Sequence, residues 1–212
     1  MCGIFSSSNK ETLAKLASLN QYRGSHSFSV YDRVTGELTK RFGEFDPSVV
    51  VDGNYSICHV QAPTTAERGM DSVHPAIQPA TGAMLWHNGI IKDFDVKRLQ
   101  AKHGMETGWD TRLLLEELGQ PKGQWLDNLS EINGSFACVL VSTYTGSMFV
   151  FRNEISPLFY DKQMNFSSVK FEGSQSLPAN KFFAVGKSGL ATIGEFKTLE
   201  NPYVFDIITL DL

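Results

Sequence analysis

Cys2 stands directly behind the initiator Met1 in the opening MCGIF. Methionine is normally trimmed when the second residue is small, and trimming here would leave a thiol and a free α-amine on one residue. The thiolate is the reactive form, and a free thiol of pKa about 8.5 needs a base at neutral pH. An N-terminal amine, at about 7.7–8.0, suits that task. The competing reading is that Cys2 merely opens a buried strand. In WHNGI the Asn88–Gly89 pair is first a turn signal after a strand. The same pair also fits an oxyanion site, where the Asn88 amide and the Gly89 N–H converge and glycine permits close approach. Asp110, in GWDTRLLLEELG, precedes an apolar-periodic segment and is expected to cap a helix. Its carboxylate has lone pairs enough to hold a substrate ammonium as well. Cys58 and His59 are adjacent in SICHVQAPT, and adjacent strand residues face opposite ways, so they do not form a dyad. Cys58 and Cys138 read as packing residues in apolar strands.

The elements that must position these groups are legible in outline. A strand is expected at Gly3–Ser7 and a helix around Thr12–Leu19, with Leu13, Leu16 and Ala17 on one face. Strands follow near Phe28–Tyr31, Leu38–Arg41, Tyr55–Val60 and Met84–His87. Helices are expected at Asp93–His103 and Thr111–Leu118, stopped by Gly104 and Gly119, and a third in WLDNLSEI. Hairpins Ser135–Ser142/Ser147–Arg152 and Lys181–Val185/Ala191–Phe196 complete the chain. FACVLV is continuously apolar, the pattern of a strand covered on both faces.

Composition narrows the function classes. A net charge of −4 without a Lys/Arg cluster argues against a nucleic-acid surface. The longest apolar runs are too short to span a bilayer, and no secretory leader precedes Cys2, so a cytoplasmic protein with no membrane partner is expected. Three cysteines without C-x-x-C spacing suggest neither a disulfide framework nor a metal site. The 212 residues read as one domain over 1–212.

In order, MCGI, YRG at 22–24, HVQAPT at 59–64, HP at 74–75, HNGII at 87–91, DT at 110–111, INGSFA at 132–137 and FRNEISPLFY at 151–160 resemble the glutaminase domain of class II glutamine amidotransferases. These are N-terminal-nucleophile hydrolases of the asparagine synthetase and amidophosphoribosyltransferase type. The resemblance implies an α+β fold, a four-layer α-β-β-α sandwich of two antiparallel sheets, which agrees with the strand pattern. It implies glutamine as substrate, hydrolysed at its side-chain amide through a γ-glutamyl thioester on Cys2, with no cofactor and no metal. Asn88 and Gly89 would form the oxyanion hole, and Asp110 would bind the α-ammonium.

The departures shape the expectation. The family pattern His-x-Arg has Gln61 in place of the arginine that pairs with the α-carboxylate, so a charge-assisted pairing is lost. Thr64 and Arg68 are the candidates to compensate, and Gln61→Arg is expected to lower KM for glutamine. Asn153 and Glu154 replace an Arg-Asp run, and FSSVKFEG departs from a Ser-Glu-x-Lys segment, which suggests an altered partner surface. With no synthetase domain in these residues, the ammonia would go to a separate synthetase or ligase. The alternatives are a glutamine- or γ-glutamyl-binding regulatory module without turnover, and a γ-glutamyl hydrolase or transferase of altered substrate.

Overall fold

The computed structural model describes residues 2–62, 68–119 and 124–200. The first half of the strands are β1 (Gly3–Ser7), β2 (Ser27–Asp32), β3 (Leu38–Phe42), β4 (Ser56–Gln61), β5 (Ala76–Ile77) and β6 (Met84–Ile91). Then come β7 (Gly134–Val141), β8 (Met148–Arg152), β9 (Phe159–Tyr160), β10 (Phe166–Ser167), β11 (Gln175–Ser176), β12 (Lys181–Gly186) and β13 (Gly189–Glu195). The helices are α1 (Lys10–Asn20), α2 (Asp93–His103), α3 (Asp110–Leu118) and α4 (Gln124–Ser130). One sheet has the order β11-β9-β10-β1-β4-β2-β3 and the other β13-β12-β8-β7-β6-β5, with antiparallel pairing throughout.

Three apolar clusters define four layers. Leu13, Leu16 and Ala17 of α1 pack on Phe5, Phe28, Cys58 and Val60 of the first sheet. Ile4, Ile57, Trp86, Val139 and Val150 fill the space between the sheets. Leu99, Leu113, Leu114 and Leu129 of α2–α4 cover Leu85, Phe136, Cys138 and Phe151 on the outer face of the second sheet. The result is α-β-β-α, and it follows from strand alternation. In β1, Ile4 faces inward and Phe5 faces α1; in β7, Ala137, Val139 and Val141 face inward while Phe136 and Cys138 face the helices. Continuous apolarity in FACVLV is therefore burial on both sides.

Local signals account for the helix ends. The Asn9 side chain accepts from Thr12 N at 2.7 Å and starts α1. Gly104 ends α2 in the left-handed region at φ 61°. Gly119 follows α3 but keeps φ −77°, so conformational freedom is not its reason. A Cβ there would lie 2.5 Å from Gln78 Nε2, the end of a flexible side chain that could move aside. The expected Asn-Gly turn does not form: β6 runs straight through Asn88 and Gly89 to Ile91, because every residue of it pairs with β7.

Trp86 is fully buried at the centre of the inter-sheet layer, its ring centroid 5.8 Å from that of Tyr31. Trp86→Ala is expected to cost about 3–5 kcal/mol, read as a lower denaturant midpoint in chemical unfolding.

Candidate active site

Two strands deliver the chemistry. β6 alternates, so Met84 and Trp86 face the inter-sheet core and Leu85 and Ile91 face the helices. Asn88 therefore shares the inward face, and His87 shares the face covered by α3. Cys2 lies two residues before inward-facing Ile4, just ahead of β1, and is 7% exposed.

Arg23 joins these strands. Its Nε donates to Cys2 O at 2.7 Å and one terminal nitrogen donates to Asn88 Oδ1 at 3.4 Å. The guanidinium is itself buried. By engaging the Asn88 oxygen it turns that amide's NH2 end the other way. Gly24 lets the chain pass close to β4, since a Cβ there would sit 2.3 Å from the Gln61 carbonyl carbon. Gly89 has the same need: at φ 158° its Cβ would be 1.9 Å from Ser135 O. YRG belongs to the motif series in the sequence, but nothing local assigns Arg23 a task. A large cation followed directly by glycine was the signal.

Asp110 is the first residue of α3, not its cap; Trp109 occupies the cap position and contributes no side-chain cap bond. Asp110 Oδ1 accepts from Thr111 N at 2.8 Å and Oδ2 from Ile91 N at 3.2 Å. The carboxylate thus ties the start of α3 to the end of β6, while each oxygen keeps a lone pair. Its Oδ2 lies 3.9 Å from His87 Nδ1.

Three buried histidines stand beside it. His59 stacks on His74 with ring centroids 4.0 Å apart. Burial brings His59 down to about 3, and burial also drives His74 well below the ordinary histidine range, with His59 and His87 adding to it. His59 lies on the inward side of β4 while Cys58 packs under α1, so this pair forms no dyad. Cys58 and Cys138 are buried, and burial pushes both thiols up, which suits packing and not reactivity.

Gln61 is buried at the end of β4, and both ends of its amide are engaged. Nε2 donates to Ser72 O at 3.0 Å, and Oε1 lies 3.3 Å from His74 N and 3.1 Å from His74 Nδ1. Arginine at this position would carry charge but no acceptor for His74. The lower KM expected of Gln61→Arg thus meets an opposing cost. Arg68 is exposed. Thr64 lies outside the described residues.

Asn153 is a buried staple. Its Oδ1 accepts from Phe136, Ile155 and Ser156 N–H groups at 3.2–3.3 Å, and Nδ2 donates to Gly134 O at 2.8 Å. Among the described residues no His/Cys/Asp/Glu group is arranged to hold a metal, and no helix is long and apolar enough to cross a membrane.

The fold is of the N-terminal-nucleophile hydrolase type. Glutamine PRPP amidotransferase from B. subtilis, complexed with ADP and GMP, superposes with a TM-score of 0.64 at 17% identity, over 91% of this chain and 48% of that one. A structure described as the allosteric regulatory enzyme of purine biosynthesis gives 0.65 at 19% identity, over 91% and 48%. A glutamine aminotransferase class-II domain protein from Silicibacter pomeroyi gives 0.50 at 11% identity, over 92% and 99%. The chain spans about half the length of the first two. No curated protein sequence matches it significantly. The sequence profile of the glutamine amidotransferase domain family matches residues 66–173, half of the chain, and the chain belongs to that family.

Burial pushes the Cys2 thiol up to about 11, Asp110 acting in the same direction and Arg23 against it. In protein that retains Met1, Cys2 alkylation by iodoacetamide is therefore expected to quicken about tenfold per pH unit from neutrality to near pH 10. A rate that levels off near pH 8 would contradict this. The histidines give a second test. His59 takes up a proton on unfolding but not in the folded state between about pH 6.5 and 4, and His74 adds to this in the same direction. The contribution of His59 to stability is thus complete above about 6.5 and lost as pH falls, by about 1.4 kcal/mol per unit. His59→Leu is expected to flatten the pH dependence of Tm across that window.

Proposed function

We propose that the protein hydrolyses the side-chain amide of glutamine through Cys2 and supplies the ammonia to a separate synthetase or ligase. The observation that carries this reading is the Arg23 bracket, which holds the Cys2 carbonyl and the Asn88 amide on one guanidinium. In this mechanism removal of Met1 frees the Cys2 α-amine. The amine takes the thiol proton as sulfur attacks the amide carbon, which matters because the buried thiol is otherwise protonated at neutral pH. The Asn88 NH2 and the Gly89 N–H receive the oxyanion. The proton returns to the departing nitrogen, ammonia leaves, and a γ-glutamyl thioester remains on Cys2. Water attacks the thioester carbonyl, the thiol is regenerated and glutamate departs.

Substrate holding falls to Asp110 for the α-ammonium, on lone pairs its two backbone contacts leave. For the α-carboxylate the candidates are Thr64 and Arg68, which follow β4 in the sequence, with Gln61 anchoring the 69–75 segment.

A binding module without turnover is the second reading. It is favoured by the engaged Gln61 amide, which offers no charge to the carboxylate.

Glutamate release from glutamine, with Cys2→Ala as control and intact mass recorded on the same sample, decides between them. Cys2-dependent glutamate from protein lacking Met1 is the expected result. Glutamine binding without turnover in such protein would establish the second reading. Asn88→Ala is expected to lower the rate about 10²–10³-fold with the fold retained. Gln61→Arg is expected to raise KM and cost about 1–3 kcal/mol of stability, because two buried His74 donors lose their acceptor.

A further inference from the structure

Behind the site a buried hydrogen-bond chain links Gln61 to Asp110. His74 Nδ1 lies 3.1 Å from Gln61 Oε1, His74 Nε2 lies 3.0 Å from Thr111 Oγ1, and Thr111 Oγ1 lies 3.2 Å from His87 Nδ1. His87 Nε2 closes the chain on Ser135 O at 3.2 Å. Thr111 Oγ1 is also 3.4 Å from Asp110 Oδ1.

The two ends of this chain fix its protons. Gln61 Nε2 faces the Ser72 carbonyl, so the other end of its amide is the oxygen, an acceptor only. His74 Nδ1 must then carry a hydrogen. Ser135 O is likewise an acceptor only, so His87 Nε2 must carry one. In two neutral rings the nitrogens facing Thr111 are then both bare. The single hydroxyl proton of Thr111 satisfies one of them and leaves the other, and Asp110 Oδ1, without it. The chain is one proton short. An added proton on His87 Nδ1 completes it: His87 donates to Thr111, and Thr111 donates to His74.

We infer that His87 is a proton-holding positioning residue: in the ligand-free protein its Nδ1 carries this additional proton opposite Asp110, and a substrate ammonium arriving at Asp110 releases it. His87 is the better seat than His74 because its Nδ1 is 3.9 Å from Asp110 Oδ2, whereas burial and two neighbouring histidines hold His74 neutral. The groups facing His87 are Asp110 from α3, His74 from the 69–75 segment, His59 from β4 and Cys138 from β7. Lys40 of β3 adds positive charge near His59 and His74. Of these only Asp110 supplies a negative charge near neutral pH. Two cations on one buried carboxylate repel each other, so the incoming ammonium displaces the proton to solvent. Glutamine affinity would then weaken as pH falls. This inference rests on the reading of Asp110 as the ammonium site.

Nitrogen-15 NMR of the histidine rings in the full chain tests the first half. The expected result is a His87 ring protonated on both nitrogens near neutral pH, losing one proton in Asp110→Asn. A singly protonated His87 in the unsubstituted protein would overturn the inference whatever the ligand does. Calorimetry of glutamine binding to Cys2→Ala, in buffers of different ionisation heat, tests the second half. About one proton released per glutamine is expected. On the same background Thr111→Val is expected to abolish the release and Thr111→Ser to restore it. Binding with no proton change would overturn the inference and leave the proposed function standing. No binding at all would instead count against Asp110 as the ammonium site, and the ring protonation would still decide His87.

Discussion

A buried guanidinium is the constraint on which the site depends. Arg23 cannot shed its proton, and taking it out of water is unfavourable unless its donors are met. Two of them are met by the Cys2 carbonyl, just before β1, and the Asn88 amide oxygen on β6 of the other sheet. The requirement that stabilises the cation also fixes the distance between the cysteine and the amide proposed to receive the oxyanion. Arginine suits this because its donors form a planar fork that reaches two acceptors at once. Lysine would supply a point charge without that geometry.

Around this bracket the molecule spends polar groups where packing alone would be simpler. Gln61, His59, His74, His87, Asp110 and Thr111 are all buried within one region between β4, β6 and α3. Buried polar groups are tolerated when each finds a partner, and most of these do. His59 Nδ1 is an exception, with no hydrogen-bond partner. The ring stacks on His74 and its Nε2 lies 3.4 Å from His87 O, and burial holds it neutral. Such a network rigidifies the ends of β4 and β6, the two strands that must not shift against each other if the site is to stay assembled.

The substitution of Gln61 for the family arginine takes on a different sense once its surroundings are known. The amide is not an exposed, weaker version of a cation. It is a two-sided connector, donating to Ser72 and accepting from His74, which a guanidinium cannot be. The side chain at this position anchors the 69–75 segment through Ser72 and His74.

Much of this was legible in the chain. Alternation and run length identified the principal strands, the doubly covered FACVLV strand and the three helices on one side, because burial pattern follows side-chain direction and that is a local property. Short motifs in order pointed to Cys2, Asn88, Gly89 and Asp110. The sequence could not distinguish a turn from a continuous strand at Asn88–Gly89, since pairing with β7 overrides the local preference of the dipeptide. It could not separate cap from first helical residue at Asp110, which depends on a backbone bond from Ile91. Nor could it assign Arg23 or the histidine chain. Those contacts join residues 21, 65, 37 and 24 positions apart, and only the packing of the two sheets and of α3 decides which of them meet.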